Sequence, residues 1–205
     1  MQKALSGAVI ASAIALLSLP ALGADHKGYE FITVDLPDGL VPGAFEVGGV
    51  SPEGVGGIND RGWIVGGYST GGPFGAFLDT GRTFTPITLP STKSGFAIAG
   101  TGVNNGGTVV GIYNFGGIEY DRGFIYRNGK FTFIDELPGL TGGVVHPQGV
   151  SNNGTIVGWG ATRSNRNQQH GFVRSARGQI TIFDYPVAFG TFLTGINDEG
   201  VIVGD

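Results

Sequence analysis

Apolar residues in this chain come in short runs, broken by glycine, proline and small polar residues, and one arrangement returns four times. Gly57 to Gly66 reads GINDRGWIVG. It recurs as GVNNGGTVVG from Gly102, GVSNNGTIVG from Gly149 and GINDEGVIVG from Gly195, at spacings of 45, 47 and 46 residues. In each copy a short polar residue (Asn59, Asn104, Ser151, Asn197) stands three places before a glycine (Gly62, Gly107, Gly154, Gly200). That is the pattern of a three-residue hairpin loop, a type I turn followed by a residue at positive φ. The polar side chain is placed to bond the turn backbone.

The returning strand has two adjacent apolar residues at its centre: Ile64-Val65, Val109-Val110, Ile156-Val157 and Ile202-Val203. Neighbouring strand residues point to opposite faces. Both faces are therefore expected to be buried, as in a sheet packed between other sheets. A second strand pair follows each hairpin. It opens on a small residue and Phe (Ala76-Phe77, Gly123-Phe124, Gly171-Phe172), turns near Gly81, Gly129 and Gly178, and runs on to Pro90, Pro138 and Pro186. Tyr29 to Pro37 has the character of the last strand of such a unit, and Ala44 to Val47 is a weak strand candidate. No 3.6-residue apolar period appears in the mature chain.

Each unit of about 46 residues thus holds four short strands, a period that suits a β-propeller blade. The expected fold is all-β, a propeller-like array of four-stranded units starting near Gly57, Gly102, Gly149 and Gly195. It is either four blades or a fragment of a larger ring. A sandwich or other stacked β array and a solenoid are the weaker readings.

Composition agrees. The 205 residues suffice for one domain, and 40% hydrophobic content is not that of a disordered chain. Glycine, 40 residues, is enriched nearly threefold without a collagen period. The formal net charge of -4 offers no electrostatic footprint for nucleic acid or for an anionic membrane surface. Residues 1–23 read as a secretory signal, with Lys3 ahead of an apolar run to Leu19, Pro20, and Ala21-Leu22-Gly23 before a cleavage point at Ala24. Cleavage after Ala24 is the near alternative, and an uncleaved membrane anchor the competing reading. The mature chain, residues 24–205, is expected to be one repeat domain, secreted, extracellular or periplasmic, with no membrane span after signal removal. It has no cysteine, so neither disulfides nor cysteine-based metal or redox chemistry is available.

The copies resemble the HAF repeats of secreted bacterial proteins, named for a His-Ala-Phe motif. The resemblance rests on the G-[IV]-N-[DN]-x-G-x-[IV]-V-G hairpin, followed by Gly75-Ala76-Phe77, Arg122-Gly123-Phe124 and His170-Gly171-Phe172, and by an Asp-x-Pro end. Only the third copy keeps the His. The resemblance covers about Tyr29 to Asp205 and implies secretion and a repeat β fold, but no reaction. Longer members continue past the hairpin that stops here at Asp205, which favours a fragment or truncated copy.

Candidate chemistry is sparse. Asp60, Asp198 and the turn asparagines offer oxygen ligands for Ca²⁺, but Asn104-Asn105-Gly106-Gly107 has no carboxylate, so turns bonding their own backbone are the plainer reading. His26, His146 and His170 share no metal spacing; His146 stands beside Pro147 in an expected loop. Glu119 and Asp121, with Tyr120 between them and Arg122 beside them, could supply acid/base work on a glycan, yet no partner for them is identifiable and a solvated loop is the simpler reading. The polar loop Thr162 to Gln169, with Arg163 and Arg166, is the most plausible ligand-contacting insert. No serine-nucleophile, phosphate-loop or dinucleotide pattern occurs. No catalytic, cofactor-binding or metal-ligating residue is assigned, and no cofactor is expected. The functional expectation is a non-enzymatic binding module for an unidentified extracellular partner such as a glycan or an envelope protein. The alternatives are a propeller polysaccharide hydrolase or lyase, and a truncated copy of a longer repeat protein.

Overall fold

Every complete repeat folds as one antiparallel sheet with four strands in chain order, and the first sheet carries a short fifth strand as well. The computed structural model describes residues 36–37, 40–42, 55–69, 74–90, 97–114, 121–165, 167–186 and 188–205, all within one compact unit, Leu36–Asp205. In the first sheet β1 (Val41–Pro42) and β2 (Val55–Ile58) pair with β3 (Ile64–Ser69), followed by β4 (Gly75–Asp79) and β5 (Phe84–Ile87). The second holds β6 (Ala97–Val103), β7 (Val109–Asn114), β8 (Asp121–Arg127) and β9 (Lys130–Ile134). The third holds β10 (Val144–Val150), β11 (Ile156–Ala161), β12 (Gln169–Arg174) and β13 (Ile180–Phe183). A fourth unit contributes the hairpin β14 (Leu193–Ile196) and β15 (Ile202–Gly204). No helix occurs among the described residues, so none there is long and apolar enough to cross a membrane. The fold is the all-β, propeller-like array of four-stranded units that the repeat predicts. The candidate strands Tyr29 to Pro37 and Ala44 to Val47 lie wholly or mostly outside the described residues.

The first-hairpin turns have the expected geometry. The carbonyl oxygens of Asn59, Asn104, Ser151 and Asn197 accept from the N–H of Gly62, Gly107, Gly154 and Gly200 at 2.9–3.2 Å. Those glycines have φ between 72° and 88°, a region any Cβ disfavours. Each first strand also shifts register at one offset, between Val55 and Gly57, Gly100 and Gly102, Pro147 and Gly149, and Leu193 and Gly195. Such a bulge bends the strand and raises its twist, a device conserved here across all four units.

In the second unit the paired apolar residues face two cores. Val109 packs in a cluster with Val65, Ile87 and Phe124, between the first and second sheets. Its neighbour Val110 packs with Ile134, Val150, Ile156 and Phe172, between the second and third. First strands of successive units approach backbone to backbone: a Cβ on Gly102 would stand 2.7 Å from the Gln148 carbonyl oxygen. Glycine is required there for the close approach itself. The end units differ. Val55 and Ile58 of the first, and Val201, Ile202 and Val203 of the fourth, are exposed, so the two-faced burial expected of the Ile202-Val203 pair does not hold.

Candidate functional site

The four first-hairpin turns line up at one end of the array and are joined by hydrogen bonds that run from unit to unit. Asn104 is the clearest case. Its Oδ1 accepts from the N–H of Gly106 (3.0 Å) and Thr108 (2.9 Å), closing its own turn. Its Nδ2 donates to the Ser151 carbonyl of the next turn at 3.0 Å. Asn59 repeats this, accepting from Arg61 and Trp63 and donating to the Asn104 carbonyl at 2.9 Å. The sequence reading of turns that bond their own backbone is right for one end of each amide. The other end ties neighbouring units together.

The next residue along builds a second, outer row. Asn105 Nδ2 donates to Asp60 Oδ2 (2.9 Å), the Asn105 N–H to Asn152 Oδ1 (2.7 Å), and the Asn152 N–H to Asp198 Oδ1 (2.6 Å). Asn152 Nδ2 also donates to the Asp198 carboxylate. Asn105 Oδ1 has no partner among the described residues. Ile58, Val103, Val150 and Ile196, one residue from each unit, line a hollow of about 270 Å³ together with these polar residues. The chemistry is a line of amide and carboxylate groups beside aliphatic side chains, held on hairpins. Among the described residues no group of three or more His, Asp or Glu side chains is placed to hold a metal ion, and the turns' carboxylates do not converge as Ca²⁺ would need.

Asp121, which the sequence places in a solvated loop, begins β8 and is buried, 1% exposed. Its Oδ2 lies 3.1 Å from His146 Nε2, and its Oδ1 accepts from Asn114 Nδ2 at 3.0 Å. His146, also 1% exposed, is not in a loop either: it lies in β10. Pro147 misled the loop assignment. It is tolerated because β10 pairs only with β11 and bulges just there, so no ladder N–H is lost. The imidazole stacks on Trp159 with ring centroids 4.1 Å apart, and Trp159 meets Phe192 edge-on. Its Nε2 faces the Asp121 carboxylate, and Nδ1 has no partner among the described residues. The pair resembles a base with its orienting carboxylate, but it is sealed between the second and third sheets and reaches no solvent-facing substrate. Beside it, Arg122 donates to the Gly143 carbonyl, and the Tyr113 hydroxyl donates to Asp135 Oδ1 at 2.5 Å. Burial, with the neighbouring carboxylate, pushes the Tyr113 phenol above its ordinary range.

Glu119, Tyr120, His26 and Arg166 lie outside the described residues. His170, the motif histidine, is partly exposed and pairs with Asp184 at 3.0 Å. The loop after β11 closes on itself: the Asn165 N–H donates to Thr162 Oγ1 (3.1 Å) and Asn165 Nδ2 to Gln168 Oε1 (3.2 Å).

No family model matches the chain, and no curated protein matches it. Among solved structures the chain is similar to a streptogramin B lyase, with 18% identity over 70% of this chain and 44% of that one at a TM-score of 0.36. It is also similar to virginiamycin B lyase from Staphylococcus aureus, with 15% identity over 73% of this chain and 54% of that one, again at 0.36. The chain spans about half the length of these lyases. Likeness at this level transfers no residue role.

Proposed function

We propose that this chain is a secreted, non-enzymatic binding module of the HAF-repeat type, and that its ligand face is the row of first-hairpin turns. The observation that carries the reading is the composition of that row. Amide and carboxylate side chains (Asp60, Asn105, Asn152, Asp198) and aliphatic ones (Ile58, Val103, Val150, Ile196) line one hollow, and both recur at one offset in every unit. Sugars present hydroxyls that donate and accept beside apolar C–H faces, so a glycan matches this surface in chemistry. The repeat spacing suits an extended ligand that touches successive turns. Binding sites are typically concave, part apolar, and carry a few fixed polar groups.

A hydrolase or lyase needs an acid or base that touches substrate. The most base-like pair among the described residues, Asp121 and His146, is sealed, which favours binding without turnover. The test is calorimetric titration of the mature chain from Ala24 against soluble polysaccharides, with reducing and unsaturated ends assayed in the same samples. Saturable binding that Asn105→Ala and Asp198→Ala weaken, without new ends, supports the reading. New chain ends would sink it.

A further inference from the structure

Three asparagines in this chain stand directly before a glycine: Asn105, Asn128 and Asn153. Such a pair is chemically labile. The backbone nitrogen of the glycine can attack the asparagine side chain, and with no Cβ on the glycine nothing hinders the approach. Whether it does so depends on how each pair is held.

Two of the pairs lie in the row of first-hairpin turns and are tied down. The Gly106 N–H donates to Asn104 Oδ1 at 3.0 Å. Asn105 itself gives its Nδ2 to Asp60 (2.9 Å) and its N–H to Asn152 Oδ1 (2.7 Å). The Gly154 N–H donates to the Ser151 carbonyl at 2.9 Å, and Asn153 Oδ1 accepts from Ser151 Oγ and from the Thr155 N–H, both at 2.9 Å. In both pairs the attacking nitrogen and the group it would attack are held by hydrogen bonds.

Asn128 differs. With Gly129 it forms the two-residue loop between β8 and β9, closed by the pairing of Arg127 with Lys130. Both residues are exposed, with φ of 50° and 79°, the signs of a type I′ turn. Asn128 is the one non-glycine at positive φ among the described residues. Neither its side chain nor the Gly129 N–H makes a hydrogen bond among the described residues, and a Cβ on Gly129 would meet no atom within 4 Å. The end of a hairpin with so few restraints opens at low cost.

We propose that Asn128 is a self-modification site: with water as the only co-reactant it converts to aspartate and isoaspartate, while the asparagines of the turn row are spared. The Gly129 nitrogen loses its proton to solvent and attacks Asn128 Cγ. A C–N bond forms and closes a cyclic imide; the Cγ–Nδ2 bond breaks, and Nδ2 leaves as ammonia with a proton from water. Water then opens either imide carbonyl. One opening gives aspartate. The other routes the chain through the side chain as isoaspartate, which lengthens the loop that Arg127 and Lys130 close. The same reaction at Asn105 would set a carboxylate against Asp60. The bonds that join the units therefore also protect the amides of the row.

The test is peptide mapping by mass spectrometry of the mature chain at mildly alkaline pH, folded and in urea. In urea the three sites should convert at similar rates. In the folded chain Asn128 should convert first, with Asn105 and Asn153 slowed roughly tenfold or more relative to urea, the factor that breaking such hydrogen bonds carries. Asn128→Asp should remove the early acidic variant seen on isoelectric focusing. Asn104→Ala frees the Gly106 N–H and should speed conversion at Asn105 while Asn128 keeps its rate. Conversion of Asn105 or Asn153 in the folded chain that matches or precedes Asn128 overturns the proposal. So does an Asn128 that stays intact when folded although the chain in urea converts.

Discussion

Replacing Asn104 by alanine should cost about 3 kcal/mol, although the substitution adds no bulk and changes no charge. Asn104 is 5% exposed and makes three bonds: two to its own turn, at the N–H groups of Gly106 and Thr108, and one to the Ser151 carbonyl of the next unit. Gly106 is exposed, so water replaces that bond at little cost. Thr108 is buried, and its N–H left without a partner costs about 1–3 kcal/mol. The Ser151 carbonyl keeps the Gly154 N–H, so the lost inter-unit bond adds only a net of about 0.5–1.5 kcal/mol, and the middle of the two ranges gives the estimate. The comparison within the molecule is Asn197→Ala. Asn197 is exposed and accepts from the Val201 N–H at 2.8 Å, with no donation to a further turn among the described residues. Its loss should cost under about 1 kcal/mol. Urea unfolding followed by tryptophan fluorescence reads both; a 3 kcal/mol loss corresponds to roughly 6–12 °C in Tm for a unit of this size. If the two variants cost the same, or Asn104→Ala costs less than about 1 kcal/mol, the amide does not join the units and the ladder is incidental.

Gly154→Val should cost at least about 1–2 kcal/mol, because φ at Gly154 is 88°; an unchanged urea midpoint would refute the turn assignment. Phe124→Ala should cost about 3–5 kcal/mol, since the ring is fully buried between the first and second sheets; a neutral result would place it outside the core. Tyr113 gives a pH dependence. Its folded pKa lies above the unfolded one, so its contribution is fully present below about pH 10 and is lost as pH rises through the folded value. Ultraviolet titration should show one tyrosine that ionises only with unfolding, and Tyr113→Phe should remove that component; normal titration of every tyrosine contradicts the assignment.

The units, the turn glycines and the two-faced strands were legible because each is a local pattern repeated at one offset. Val109 and Val110 entering different cores follows from strand alternation alone. The inter-unit ladder was not legible. Asn59 or Asn104 can close its own turn without any neighbour, and only the stacking of turns gives Nδ2 a carbonyl to meet. The Asp121–His146 pair was missed because its partners stand 25 residues apart in different units. The available signal was a break in the repeat. By register with the neighbouring units, His146 occupies the place of Ala99 and Asn114 that of Ala161, both buried alanines. Polar residues replacing alanine at one junction mark a departure from the pattern, and such departures are where buried polar networks are to be sought.

The central claim is that the turn row is the ligand face and that ligand leaves it unchanged. Amide chemical-shift mapping of the ¹⁵N-labelled mature chain, titrated with the polysaccharide that binds most tightly, tests it directly. The account predicts shifts concentrated at Asp60, Asn105, Asn152 and Asp198, with the ligand's own spectrum free of cleavage products. Shifts centred on the loop after β11, or new sugar end groups appearing during the titration, would contradict it.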